Sequence, residues 1–170
     1  MTRPGFAVTT CAATLLVALS GLLHPVPKLL WNASGSVPIG LYAVQRAFPL
    51  QVGELVVVKP PVPLARFLAA RRYLPFGMPL IKHILALPGQ TICRAAGAIT
   101  VDGAAIGEAL QRDRFGRALP AWQGCRALGP GEVFLMNRTS PNSLDGRYFG
   151  PLPTTAIVGR ADPIWTHVEN

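Results

Sequence analysis

Apolar positions in this chain fall into two regimes. From Gly5 to Leu23, "GFAVTTCAATLLVALSGLL", there is no charged residue. Nineteen helical residues at about 1.5 Å each would span about 28 Å, close to the ~30 Å core of a bilayer. A Pro-broken exit follows, "HPVPKLLWNASGS", with Trp31 placed where an interfacial aromatic would sit. Beyond it the apolar runs are short and bounded by Gly or Pro. Gly40–Gln45, Glu54–Lys59, Leu80–Leu87, Glu132–Asn137 and Thr155–Trp165 read as strands. Ala98–Ile106 reads as a hairpin, with Asp102-Gly103 supplying the residues of a tight I′ turn. One stretch, Val62–Leu74, has helical spacing: Leu64, Phe67, Leu68 and Leu74 lie near one face and Arg66, Arg71 and Arg72 near the other. About residues 107–129 the pattern dissolves into polar residues with Gly and Pro, and a surface loop is expected. The pattern predicts a mainly β domain, a coiled antiparallel sheet or partial barrel with one short helix, preceded by an N-terminal transmembrane helix.

Two readings fit the N-terminal segment. It is a retained anchor, or a cleavable leader with "ALS" before Gly21 as the processing site. Either exports the remainder, which divides the chain into a membrane segment, 1–24, and an exported domain, 25–170. Charge changes the picture little. The net charge of +8 comes from 13 arginines and three lysines, Lys28, Lys59 and Lys82. The arginines are scattered, and no dense basic helix with interleaved aromatics marks a nucleic-acid surface. A basic surface suits anionic lipid headgroups or no dedicated partner at all. Of the three cysteines, Cys11 lies in the apolar segment. Cys93 and Cys125 lie in the part expected to be exported, where oxidation is permitted, and a disulfide between them is expected. No Cys/His spacing suggests a metal, and no cofactor is expected.

Candidate chemistry centres on the serines of "NASGSVPIG", Asn32–Gly40. A serine needs a base to become a nucleophile. His24 abuts the apolar segment and His167 lies in the C-terminal tail, and neither has a characteristic setting. His83 neighbours Lys82 on a predicted strand, so the two point to opposite faces. Lysine is the other route. At an unperturbed pKa of about 10.4 almost none is neutral at pH 7, but desolvation can lower that value by about 3–5 units. Lys82, between "MPLI" and "HILALPG", is the lysine set in an apolar strand. The ordinary reading of such a residue is a strand lysine whose head reaches water.

Three blocks, in order, resemble the serine–lysine signal peptidases. "SGSVP" (Ser34–Pro38) is similar to their nucleophile block, "KHILALPGQ" (Lys82–Gln90) to their lysine block and "NRTSPNSLDGRYFGPLP" (Asn137–Pro153) to their last block. Within that group "SVPIGLY", "FGRALP" and "SLDGRYFGP" resemble the TraF-type conjugative-transfer peptidases over nearly the whole chain after the anchor. The resemblance implies a signal-peptidase-like fold. It implies a single-pass inner-membrane endopeptidase with its catalytic domain on the periplasmic side, in contact with secretion or conjugation machinery. The implied substrate is a pilin precursor or another secreted precursor peptide, presented at the membrane lipid and cleaved after small residues such as alanine. Some members also join the new pilin ends into a ring.

Carried over by position, Ser36 matches the nucleophile and Lys82 the general base. The Ser36 backbone N–H and the Ser34 hydroxyl match the oxyanion hole, Ser143 the serine that directs the lysine, and Asp145 and Arg147 a structural ion pair. A direct catalytic part for Asp145 is the alternative. Gln90 stands where aspartate is usual, Gly146 where a second serine is usual, and Val37 where methionine is usual. Two other functions compete: a general signal peptidase of the same chemistry, and a non-catalytic envelope scaffold of a secretion complex.

Overall fold

A computed structural model describes residues 3–22 and 28–167 of the 170. Helix α1 covers Arg3–Leu22. Its threonine hydroxyls turn back onto its own backbone, Thr9 to the Gly5 carbonyl, Thr10 to Phe6 and Thr14 to Thr10. Among the described residues no helix is long and apolar enough to cross a membrane. This corrects the expected transmembrane helix, and with it the single-pass inner-membrane placement that rested on it. In physical terms, Arg3 and Pro4 occupy the start of α1, and Thr9, Thr10 and Thr14 dilute its apolar run. The expected boundary after residue 24 lies outside the described residues.

The rest is mainly β. Strands β1 (Leu29–Asn32), β2 (Ile39–Gln45), β3 (Leu55–Val58), β4 (Leu80–Ala86), β9 (Glu132–Leu135), β10 (Leu152–Pro153) and β11 (Ile157–His167) form one curled antiparallel sheet. Its order is β1-β2-β11-β3-β4-β9-β10. A second sheet, β7-β6-β5-β8, is built from β5 (Thr91–Ala95), β6 (Ala98–Val101), β7 (Ala104–Glu108) and β8 (Gly124–Ala127). Asp102 and Gly103 both take positive φ, 49° and 81°, in the β6–β7 turn, the conformation that dipeptide was expected to adopt. Strand β8 lies within the segment expected to be a loop. It pairs with β5 so that Cys93 faces Cys125, and a disulfide joins them.

The runs "LVVV" and "LIKHILA" are apolar almost throughout because β3 and β4 are covered on both faces. On one side Val56, Val58 and Ile84 pack with Val133, Leu135 and Ile157. On the other, Val57 and Ile81 pack with Val37, Tyr42 and Ala161. A third cluster, with Phe134 and Met136 against Ile92 and Ile99, joins the two sheets. Helix α2 covers Val62–Ala70, shorter than the expected span. Arg72 enters the left-handed region at φ 57°, and the Arg72 and Tyr73 amides bond back to the Ala69 and Leu68 carbonyls, closing the helix. Trp31, expected at an interface, stacks on Trp165 with ring centroids 5.8 Å apart.

Candidate active site

The register of β3 and β4 sets Lys82 opposite Val56, in the middle of a covered sheet. Its side chain therefore points into packed protein and is 4 % exposed. It lines a narrow crevice with Val58, Leu64, Leu80, Leu135 and Phe149. Desolvation by these neighbours pushes its pKa down to about 8; the Asp145 carboxylate opposes that fall and the Arg147 guanidinium adds to it. Nζ donates to Ser143 Oγ at 2.6 Å. His83, on the alternate face, places Nδ1 3.1 Å from Asn137 Oδ1.

Ser143 sits on a loop that Arg147 holds from within. Arg147 is 2 % exposed and donates to both Asp145 carboxylate oxygens, Nε at 2.9 Å and Nη2 at 2.8 Å. The same guanidinium donates to the carbonyls of Asn137, Ser140, Pro141 and Ser143. Asp145 in turn accepts from the Asn137 and Arg147 amides, capping the one-turn helix α3 (Gly146–Phe149). The pair thus braces the turn that presents Ser143. Gly146 has its own reason to lack a side chain: a Cβ there would come within 2.6 Å of the Phe134 ring and 2.8 Å of the Leu135 carbonyl. A serine would not fit without moving a buried strand. Gln90, at the position where aspartate is usual, accepts from the Leu87 amide and donates to Asp102, so the turn after Leu87 is held by an amide rather than a charge.

Ser34 and Ser36 lie on the loop between β1 and β2. Their hydroxyl oxygens are 3.4 Å apart. Val37, next in sequence, is buried against Ile81, the residue preceding Lys82. The structure brings Lys82, Ser143, Asp145 and Arg147 into one connected group, and Ser34 and Ser36 into another. No hydrogen bond joins Ser36 to Lys82 among the described residues. Asn32 and Asn137 are site residues that the sequence pattern did not single out. Asn137 donates to the Ile81 carbonyl and accepts from the His83 amide, clamping the peptides on both sides of Lys82. A polar residue ending an apolar strand, as Asn137 does after "EVFLM", is the signal that could have found it. Among the described residues no group of three His, Cys, Asp or Glu side chains could hold a metal.

A buried lysine with a depressed pKa, directed by a serine and near a serine-bearing loop, is chemistry of the serine-peptidase class. The family described as "signal peptidase, peptidase S26" matches residues 2–166, and the chain belongs to it. Membership implies serine-peptidase activity on a precursor protein. The chain is 38% identical over 146 residues to "Conjugal transfer protein TraF" of Agrobacterium fabrum (strain C58 / ATCC 33970), covering 79% of this chain and 81% of that one. It is 32% identical over 145 residues to "Plasmid transfer protein TraF" of Escherichia coli, covering 79% and 81%. A third relative, "Probable signal peptidase I-1" of Synechocystis sp. (strain ATCC 27184 / PCC 6803 / Kazusa), is 34% identical over 113 residues, covering 66% and 53%.

Proposed function

We propose that the chain is a Ser–Lys endopeptidase that matures a conjugative pilin precursor. The observation that carries this reading is the Lys82 amine: buried, held by Ser143 and shifted to a pKa of about 8, so that a useful fraction is neutral near neutral pH. In the substrate complex the Ser36 hydroxyl turns to Lys82. Nζ takes its proton as Oγ bonds to the scissile carbonyl carbon. The oxyanion that forms is met by the Ser36 N–H and the Ser34 hydroxyl. Collapse breaks the C–N bond, Lys82 returns the proton to the leaving amine, and an ester remains on Ser36. Water then attacks that ester, giving a linear product. Attack by the pilin's own amine instead gives a ring one water lighter, which intact-mass measurement distinguishes. Asp145 and Arg147 act by bracing the Ser143 loop.

The likeness to the "Probable signal peptidase I-1" of Synechocystis favours a second reading, removal of leaders from exported proteins. Both readings share one test of the chemistry. Ser36→Ala and Lys82→Ala should each abolish cleavage while the protein stays folded; processing that persists in both removes the dyad. Cleavage of a pilin precursor, with unrelated exported precursors left intact, separates the first reading from the second.

A further inference from the structure

The loop that carries Ser34 and Ser36 is organised by one buried side chain. Asn32, 7 % exposed at the end of β1, donates through Nδ2 to the carbonyls of Ser34 (2.8 Å), Pro38 (3.0 Å) and Val37 (3.1 Å). Its Oδ1 accepts from the Ser34 amide at 3.2 Å and from the Ser34 hydroxyl at 3.0 Å. Tyr42 closes the far end of the loop by donating to the Pro38 carbonyl at 2.6 Å.

The hydroxyl bond has a consequence for the proton inventory. A serine has one O–H. Ser34 commits its proton to Asn32, so in the 3.4 Å contact between the hydroxyls the donor is Ser36. In the resting enzyme, then, neither proton points where catalysis needs it. Ser36 donates to Ser34 rather than to Lys82, and Ser34 donates to Asn32 rather than to an oxyanion.

We infer that Asn32 is the positioning residue of the nucleophile loop: it holds the Ser34–Pro38 backbone and parks the Ser34 hydroxyl one rotation away from the oxyanion it will meet. This rests on the Ser36 and Ser34 roles proposed above. As charge develops on the substrate oxygen, the Ser34 O–H rotates from Asn32 Oδ1 to that oxygen, and the Ser36 proton is released towards Lys82. The amide donors of Asn32 keep the loop in place throughout.

The test is a double-mutant cycle on the full chain. The probe is an internally quenched peptide with alanine at the first and third positions before the scissile bond. Asn32→Ala and Ser34→Ala should each lower kcat by about 10²-fold, the usual cost of one oxyanion donor. KM should stay within about threefold, because the Ser34 hydroxyl acts in the transition state and Asn32 acts by holding the backbone that carries it. The double variant should be at most about tenfold slower than either single one, since without the Ser34 hydroxyl the clamp of Asn32 on that segment has no oxyanion donor left to position. The midpoint of the pH profile should stay where the wild type has it, because Lys82 is untouched. Asn32→Gln keeps an amide for folding but moves its carbonyl by a methylene, and should lose kcat like Asn32→Ala. Wild-type kcat in Asn32→Gln, a loss confined to KM, or losses that multiply in the double variant would each overturn the inference. Ser36→Ala runs alongside as a control. If it still cleaves, the dyad fails. If it is inactive while the Asn32 variants keep full kcat, only this inference fails.

Discussion

Around Ser36 the chain is open, and around Lys82 it is closed. Ser34 is exposed and Ser36 half-buried, on a loop whose local order comes from Asn32 and Tyr42. Lys82, Ser143, Asp145 and Arg147 are all buried, and the Arg147 guanidinium alone reaches five residues. Lys82, the proposed base, is therefore set before substrate arrives, by desolvation that the fold imposes. Ser36, the proposed nucleophile, is not; its hydroxyl lies 3.4 Å from that of Ser34, and no hydrogen bond joins it to Lys82 among the described residues. A closed lysine pocket and an open serine loop, in the roles proposed for them, suit an enzyme that must admit an extended polypeptide. Only the loop has to adjust, while the costly burial of a lysine is built into the sheet.

The sharpest way to break this contrast is to remove its two chemical centres. Ser36→Ala should lose all measurable cleavage with no change in stability, because the side chain is small and half-exposed. Lys82→Met should lose cleavage as completely, and its effect on stability should depend on pH. The folded pKa of about 8 lies below the ordinary 10.5, so between those values the unfolded chain binds more protons than the native one. Stability owed to Lys82 therefore rises with pH across that window, and Lys82→Met should abolish the rise. Denaturant melts of both proteins at several pH values check this.

Next in size is the brace. Asp145→Asn leaves the Arg147 charge buried and unpaired, which should cost about 3–5 kcal/mol. Activity should fall together with stability, measured by denaturant unfolding. An Asp145→Asn protein of unchanged stability but no activity would give the carboxylate a direct chemical part.

Smaller again is Ser143→Ala, which removes the acceptor that directs Nζ. A hydrogen bond to a charged group is worth about 1.5–3 kcal/mol, so kcat should fall by about 10- to 100-fold with the fold intact. Last comes the disulfide, which lies in the second sheet. Reducing Cys93–Cys125 should cost stability, about 2–4 kcal/mol for a typical crosslink. Turnover of the folded fraction should stay near wild type.

How much of this could be read from the residues differs between the two regions. Strands β3 and β4 were legible because both faces are covered, leaving apolar runs that need no periodicity to be seen. The alternation of Lys82 and His83 told that they face opposite ways, but not which face is enclosed. That depends on Leu135 and Phe149, more than fifty residues away. The brace was legible only as a charge pair, since a single arginine gathering four carbonyls of one loop leaves no pattern. Helix α2 was read too long because Arg71 and Arg72 continue the amphipathic spacing while the backbone turns left-handed at Arg72. Strands β5 and β8, "TICRA" and "GCRA", were missed because each is short and carries an arginine. The uncharged run predicts a membrane span although Thr9 and Thr10 weaken it, and among the described residues no helix is long and apolar enough to cross a membrane. Asn32 was hidden in plain view: its work is side chain to backbone, and such contacts follow from loop shape rather than composition.

The most direct measurement is the pH dependence of kcat/KM for the wild-type protein. Lys82 must be neutral to accept the Ser36 proton, so the rate should rise about tenfold per pH unit at acid pH and level off above about 8. A rate that is already level below pH 7, or one whose midpoint lies near 6.5 and moves with substitution of His83, would contradict a lysine base at position 82.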